Sequence, residues 1–141
     1  IIHFIQPGLL LDVGSGAGLP GIVIAIMKPE TEVFVLDSVG KKCRFMQAVK
    51  SELTLENLIV VNSRVESFKS KKSFSQITSR AFAEASKTIQ LTKHLLEENG
   101  RYLLMKGSNI HEEDVDNFNV KVHSMTVPFV SEKRSLLEIQ L

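Results

Sequence analysis

A single cysteine, Cys43, occurs in the chain, so no disulfide can form within it and a reducing, cytoplasmic setting is expected. Long hydrophobic runs are also missing. The longest apolar stretches, such as Gly21–Met27, fall far short of the roughly 20 residues that a bilayer-spanning helix needs. No charged-then-apolar leader precedes a small-residue cleavage site, which gives no sign of export. Charge of one sign is scarce too. A net charge of +1 announces no nucleic-acid partner by itself, so any such reading must come from where the basic residues sit. His3, His94, His111 and His123 are scattered and form neither a His-Glu-x-x-His nor a Cys/His ligand pattern, so no metal is expected. Internal repeats, low-complexity tracts and linkers are absent.

What is present is an alternation of strand and helix signals. With 141 residues and 43% hydrophobic content the chain can bury one substantial core, which implies a single domain over 1–141. The chain opens at Ile1 and runs almost directly into a strand, so a fragment lacking its upstream part is expected. Leu9–Val13 is a continuous apolar run closed by Gly14, the pattern of a buried parallel strand. Leu19–Met27 follows as a helix that is apolar nearly all round, with Pro20 in its first turn. Val33–Leu36 is a second strand. Val39, Cys43, Met46, Val49 and Leu53 mark a second helix by their spacing. Leu58–Val61 and Ser75–Ser79 are further strands, separated by a lysine-rich loop over Ser67–Ser73. Ala85, Ile89, Thr92 and Leu96 trace a third helix, with Asn99-Gly100 as its stop. Arg101–Met105 is a fifth strand, and Asn109–Asn117 a polar short helix or loop. Val120–Val127 and Leu136–Leu141 alternate, and their connection is too short for a crossover helix, so they form an antiparallel pair. The expected fold is α/β and Rossmann-like: a mostly parallel seven-stranded sheet ending in an antiparallel strand pair.

The chemistry concentrates after the first strand, in Asp12-Val-Gly-Ser-Gly-Ala-Gly18. Gly14, Gly16 and Gly18 let the backbone turn tightly and approach a ligand with no Cβ between. A loop in this position lies at the carboxyl edge of the sheet, where open α/β folds bind ligands. A dinucleotide fingerprint would place glycine at position 19, and Leu19 stands there. The Asp-x-Gly-x-Gly-x-Gly form is instead characteristic of methyltransferases that use S-adenosyl-L-methionine. Asp37 ends the second strand, where a carboxylate can accept hydrogen bonds from both ribose hydroxyls of an adenosine-containing cofactor and disfavours a 2′-phosphate.

Leu11-Asp-Val-Gly-Ser-Gly-Ala-Gly-Leu-Pro-Gly-Ile22 resembles the first motif of the ribosomal small-subunit methyltransferase G family, also called glucose-inhibited division protein B. Leu36–Phe45, Asn62–Glu66, Ser79-Arg-Ala-Phe82, Leu104-Met-Lys-Gly107 and Glu132-Lys-Arg134 are similar to its later blocks, in order, so the resemblance covers nearly the whole chain. It implies a class I methyltransferase fold and methylation of guanine N7 in 16S small-subunit ribosomal RNA, with S-adenosyl-L-methionine as cofactor. By the resemblance Gly14, Leu19, Val65, Glu66 and Arg80 line the cofactor site, with Asp37 on the ribose. Two departures stand out. Family members carry a further helical segment before the first motif, and Ser135 follows Arg134 where the family often has histidine.

Guanine N7 carries a lone pair and no proton, so no general base is required, and none is assigned here; positioning supplies most of the acceleration. Lys41, Lys42 and Arg44 crowd the start of the second helix, where the macrodipole disfavours cations by roughly 0.3–1 kcal/mol each and RNA phosphate would offset the cost. Arg64, Arg80, Lys106 and Arg134 fall at or just beyond strand ends and would form a basic rim if those ends share one edge. The RNA-binding candidates are therefore Lys41, Arg44, Arg64, Lys106 and Arg134. Duller readings stand beside these: Val65 as core, Glu66 as the start of a helical turn, and Arg80 in a surface ion pair with Glu84. Partners are small-subunit ribosomal RNA or the ribosomal subunit. No heptad or long apolar edge marks an oligomer, and a monomer is assumed. The alternatives are a methyltransferase of this fold with another acceptor, a non-catalytic RNA-binding or ribosome-assembly module, and, more distantly, an NAD-linked oxidoreductase.

Overall fold

The computed structural model describes residues 1–107 and 118–141. Seven strands form one sheet: β1 (Gly8–Val13), β2 (Thr31–Asp37), β3 (Leu58–Asn62), β4 (Phe74–Arg80), β5 (Leu96–Lys106), β6 (Asn119–Met125) and β7 (Arg134–Gln140). Their spatial order is β3-β2-β1-β4-β5-β7-β6. The first five pair in parallel, and β7 runs antiparallel to both β5 and β6. The mostly parallel sheet with an antiparallel end is thus the expected one.

Among the described residues three α-helices cover it: α1 (Gly21–Met27), α2 (Gly40–Glu52) and α3 (Ala85–Thr92). Because successive side chains of a strand point to opposite faces, the apolar runs feed two cores. On one face Ile22, Ile24 and Ala25 of α1 and Cys43 and Met46 of α2 pack on Leu10, Val33 and Val35. On the other, Ala85 and Ile89 of α3 pack on Leu11, Val13, Ile77 and Tyr102. This two-sided cover is what makes the first strands read as unbroken apolar runs. Central β4 carries buried polar side chains, and each of the two longest finds a partner. Thr78 Oγ1 donates to the Leu103 carbonyl at 2.7 Å, and Gln76 exchanges hydrogen bonds with the backbone of Gln6 at 2.7 and 2.9 Å.

Several expectations need correction. Pro20 is the N-cap of α1, its carbonyl accepting the Ile24 N–H at 3.0 Å, so the helix starts after it. Nor is α1 covered all round. Val23, Ile26 and Met27 are 40%, 48% and 58% exposed, because a helix laid on one sheet face buries a single stripe. In α2, Val39 is the N-cap and Leu53 the C-cap, and both are exposed. Asn99-Gly100 does not stop α3. That helix passes into a 3-10 turn at Lys93–Leu95, and Asn99 and Gly100 lie inside β5. The reason is a bulge: Leu96 pairs with Phe74 and Arg101 with Gln76, so extra β5 residues loop out between. Buried Gly100 fits there because a Cβ would meet the Leu96 side chain at 2.7 Å. The expected element over Asn109–Asn117 lies outside the described residues. Among those described, no helix is long and apolar enough to cross a membrane.

Candidate active site

The loop between β1 and α1 is held by hydrogen bonds from both sides. The N–H groups of Gly14 and Ser15 donate to the Leu36 carbonyl of β2 at 2.9 and 3.1 Å. Asp12, fully buried in β1, accepts the Ser15 hydroxyl at 2.5 Å and the Gly21 N–H at 2.9 Å on Oδ2, while its Oδ1 has no hydrogen-bond partner. One carboxylate oxygen therefore ties the loop's first turn to the first residue of α1. Burial raises the Asp12 carboxyl from its ordinary 3.8 to about 7, against the lowering effects of the Ser15 and Gly21 hydrogen bonds and the Arg80 guanidinium.

Asp37, at the end of β2, faces the same loop. Its Oδ2 accepts the Gly16 N–H at 2.9 Å and its Oδ1 the Val39 N–H at 2.8 Å, with Lys42 Nζ at 4.0 Å from Oδ2. The residue is 7% exposed, and that exposure opens on a cleft of about 320 Å³. Gly14, Asp37, Lys42, Val65, Glu66 and Phe82 are among its walls. Gly14 has φ +67°, and a Cβ on it would meet Phe82 Cδ2 at 2.5 Å, so both its conformation and its neighbour demand glycine.

A second cleft, of about 510 Å³, lies along the same edge of the sheet, over the ends of β4, β5, β6 and β7. Arg80, Lys106 and Arg134 border it above Met105, Met125 and Val127. Ala81 borders both clefts, with its backbone in the left-handed region at φ +50°. Lys106 Nζ donates to the Ala83 carbonyl at 2.7 Å, which fastens the segment carrying Ala81 and Phe82 to the end of β5. Arg134 makes an exposed ion pair with Glu132 at 2.9 Å.

The sequence-derived residues distribute as follows. Gly14, Asp37, Val65 and Glu66 converge on the first cleft, joined by Arg64. Val65 is at once core and wall. Gly16 acts through its N–H on Asp37, Gly18 is packed on Ile22, and Leu19 is exposed; none of the three lines the cleft. Arg80 borders the second cleft with Lys106 and Arg134, and makes no ion pair with Glu84. Arg64, Arg80, Lys106 and Arg134 do share the glycine-loop edge. Lys41 and Arg44 are exposed on α2 and line neither cleft. Sequence reasoning noted Lys42 only as one of the cations at the start of the second helix, and did not select Phe82, Met105, Met125 or Val127. The phase of α2 after Asp37 signals Lys42, and the Ser-Arg-Ala-Phe block signals Phe82. His3 and His94 are exposed and His123 pairs with Glu138, while His111 lies outside the described residues. Among the described residues no cluster of histidine, cysteine or carboxylate side chains could hold a metal.

The first cleft suits an adenosine-containing molecule. Each Asp37 oxygen receives one backbone N–H, which leaves lone pairs for ribose hydroxyls. Val13, Leu36 and Val65 supply apolar wall for a base, and the glycine at position 14 keeps the approach to the β1 end free of a Cβ.

Comparison with known proteins gives a consistent picture. The family model for GidB, rRNA small subunit methyltransferase G, matches residues 1–137. A ribosomal RNA small subunit methyltransferase G from Ruthia magnifica subsp. Calyptogena magnifica is 53% identical over 137 residues, covering 97% of this chain and 67% of the relative. Its counterpart from Methylobacillus flagellatus is 44% identical over 139 residues, covering 97% and 68%. Among solved structures, a SAM-dependent methyltransferase from Aquifex aeolicus superposes with a TM-score of 0.70 at 15% identity, covering 94% of this chain and 82% of that one. That last likeness speaks to the fold.

Proposed function

The chain belongs to the rRNA small subunit methyltransferase G family, and from that premise we propose that its two adjoining clefts transfer a methyl group to N7 of a guanine in 16S ribosomal RNA. It is an rRNA methyltransferase that uses S-adenosyl-L-methionine. When bound, that cofactor supplies a methyl carbon on a sulfonium: the guanine N7 lone pair forms the new N–C bond while the S–C pair stays on sulfur, so no proton has to leave.

The residues of this chain accordingly bind and orient. Asp37 takes the ribose hydroxyls with the lone pairs its two backbone partners leave free. Val65 packs against the adenine and Glu66 borders it, Gly14 gives the close approach, and Gly16 and Gly18 hold the loop that Asp12 clamps. Leu19 stands exposed beside the loop, outside the cleft, and Arg80 borders the second cleft next to Ala81, from where it reaches the cofactor or the target base. Arg64, Lys106 and Arg134 along the edge, with Lys41 and Arg44 on α2, attract the RNA backbone. The protein acts in the cytoplasm, as a monomer, on the small ribosomal subunit or its RNA.

The observation that carries this reading is the shared edge: a carboxylate-and-glycine cleft beside a cleft ringed by Arg80, Lys106 and Arg134, with Ala81 common to both. The test is to incubate the protein with small ribosomal subunits and methyl-labelled S-adenosylmethionine, then digest the RNA to nucleosides. Label in 7-methylguanosine is expected. Label in another nucleoside, or none with a protein that binds the cofactor, refutes the N7 assignment.

A further inference from the structure

The connection between β6 and β7 carries a side chain that the fold does not use. Val127, Pro128, Phe129 and Val130 form a turn closed by the Val130 N–H, which donates to the Val127 carbonyl at 3.1 Å. Phe129, the third residue of the turn, has φ +66°. Proline in second place, a left-handed third residue and this hydrogen bond are the marks of a type II turn, whose third place favours glycine or asparagine. A bulky side chain there strains the backbone. Burial does not offset that strain, because the Phe129 residue is 108% exposed.

The place of the turn decides what the ring meets. β6 ends at Met125 and β7 begins at Arg134, and both residues border the second cleft with Val127. Phe129 therefore stands just beyond the cleft wall, outside both clefts, on the edge that carries the glycine loop. Exposed Lys133 follows it, and Arg80 and Lys106 lie across the cleft. Glu132, the carboxylate of this connection, is held in its exposed pair with Arg134. An apolar ring in basic surroundings matches single-stranded RNA: phosphates meet the cations, and the face of any base meets the ring. The reaction also creates a place for the ring. In paired RNA, N7 faces a major groove too deep and narrow for side chains to reach. A guanine that presents N7 to a cofactor in a cleft must leave its stack, and its neighbour then loses a stacking face. Apolar side chains that enter base steps occupy such gaps.

We propose that Phe129 is a stacking wedge: its ring takes the place of the displaced guanine against a neighbouring base of the ribosomal RNA, with Lys133 on the adjoining phosphate. This rests on the guanine-N7 reading above.

Two substitutions and a cross-link test it. Phe129→Asn suits the turn's backbone and removes the ring, whereas Phe129→Trp keeps a ring. Phe129→Asn is expected to unfold in urea at no lower a midpoint than wild type and to keep its Kd for S-adenosylhomocysteine within about two-fold. Its kcat/KM for small ribosomal subunits should fall at least about five-fold, and Phe129→Trp should retain the wild-type value. A lower midpoint for Phe129→Asn would make the ring a structural group, and an unchanged kcat/KM would make it idle; either result overturns the proposal. An equal loss in Phe129→Trp does so as well, because stacking needs only a ring. With p-benzoylphenylalanine in place of Phe129, irradiation in the presence of small subunits and S-adenosylhomocysteine should cross-link the protein to a nucleotide next to the methylated guanine. A cross-link to a ribosomal protein, or back to this chain, overturns it too. Failure of the guanine-N7 reading would show separately, as no 7-methylguanosine made by the unaltered protein.

Discussion

Replacing Asp12 by asparagine should remove a pH dependence of stability that the wild-type chain carries. Asp12 is fully buried, with one oxygen holding Ser15 and Gly21 and the other without a partner. Its carboxyl titrates at about 7 in the folded chain against 3.8 when free, burial being the main cause. The sign follows from which state keeps the proton. Below pH 3.8 both states hold it and the proton contributes no difference between them. Between 3.8 and 7 the unfolded chain releases it and the folded chain does not, so stability falls as pH rises. Above 7 both are ionised and the loss is complete. At about 1.36 kcal/mol per pH unit the loss is on the order of 4 kcal/mol. The amide of Asp12→Asn would keep the shape and one acceptor oxygen but has nothing to ionise. Urea unfolding of both proteins at pH 4, 5.5, 7 and 8.5 isolates the effect, because other titrating groups cancel in the difference. The variant should gain on wild type steadily from pH 4 to 7 and hold that gain at 8.5. Parallel curves across the range would refute the buried, proton-holding carboxyl.

The same loop is sensitive to volume. Gly21→Ala would put a Cβ 2.4 Å from Val35 Cγ1 and 2.8 Å from Asp12 Oδ2, both fully buried, and should cost about 1–3 kcal/mol in urea unfolding; a change below the error of the method would contradict the packing described. Glu138 is held below its ordinary 4.5 first by its hydrogen bond with His123 and then by Arg101, so the stability it adds is present above pH 4.5 and is lost as the pH falls through its folded value. Glu138→Gln should therefore flatten the acid limb of the stability curve and leave the neutral limb's slope unchanged. Along the rim, Arg80→Gln and Arg134→Gln should each weaken binding to small subunits and reduce the dependence of log K on log salt by about one phosphate contact. An unchanged salt slope in either variant would remove that residue from the RNA surface.

Much of this arrangement is legible in the residues because strand burial on two faces leaves unbroken apolar runs. Leu9–Val13 and Val33–Leu36 announce β1 and β2, and with them the positions of Gly14 and Asp37 at one edge. The errors have local causes. Asn99-Gly100 carries the composition of a helix stop, yet the same pair serves a bulge, and only the pairing of Leu96 with Phe74 tells the two apart. The all-apolar Gly21–Met27 looks buried on every side, but burial depends on what lies opposite, and Val23, Ile26 and Met27 face outward. Side-chain direction is the other illegible quantity. Lys42 turns toward Asp37 while its neighbours Lys41 and Arg44 do not line either cleft, a difference of helix phase. Lys106, picked for its charge, also donates a hydrogen bond to the Ala83 carbonyl, which its position in the sequence does not announce. Met105 and Met125 carry no sequence signal as wall residues, because they come to border one cleft only when β7 brings β5 and β6 together.

The central claim is that the Gly14–Asp37 cleft binds the methyl donor. Calorimetric titration of the protein with S-adenosylhomocysteine, beside Asp37→Ala and with the fold of each checked by circular dichroism, tests it most directly. Saturable binding at one site that weakens at least ten-fold in Asp37→Ala is the expected result. Equal binding by both folded proteins, or none by the folded wild type, would contradict it.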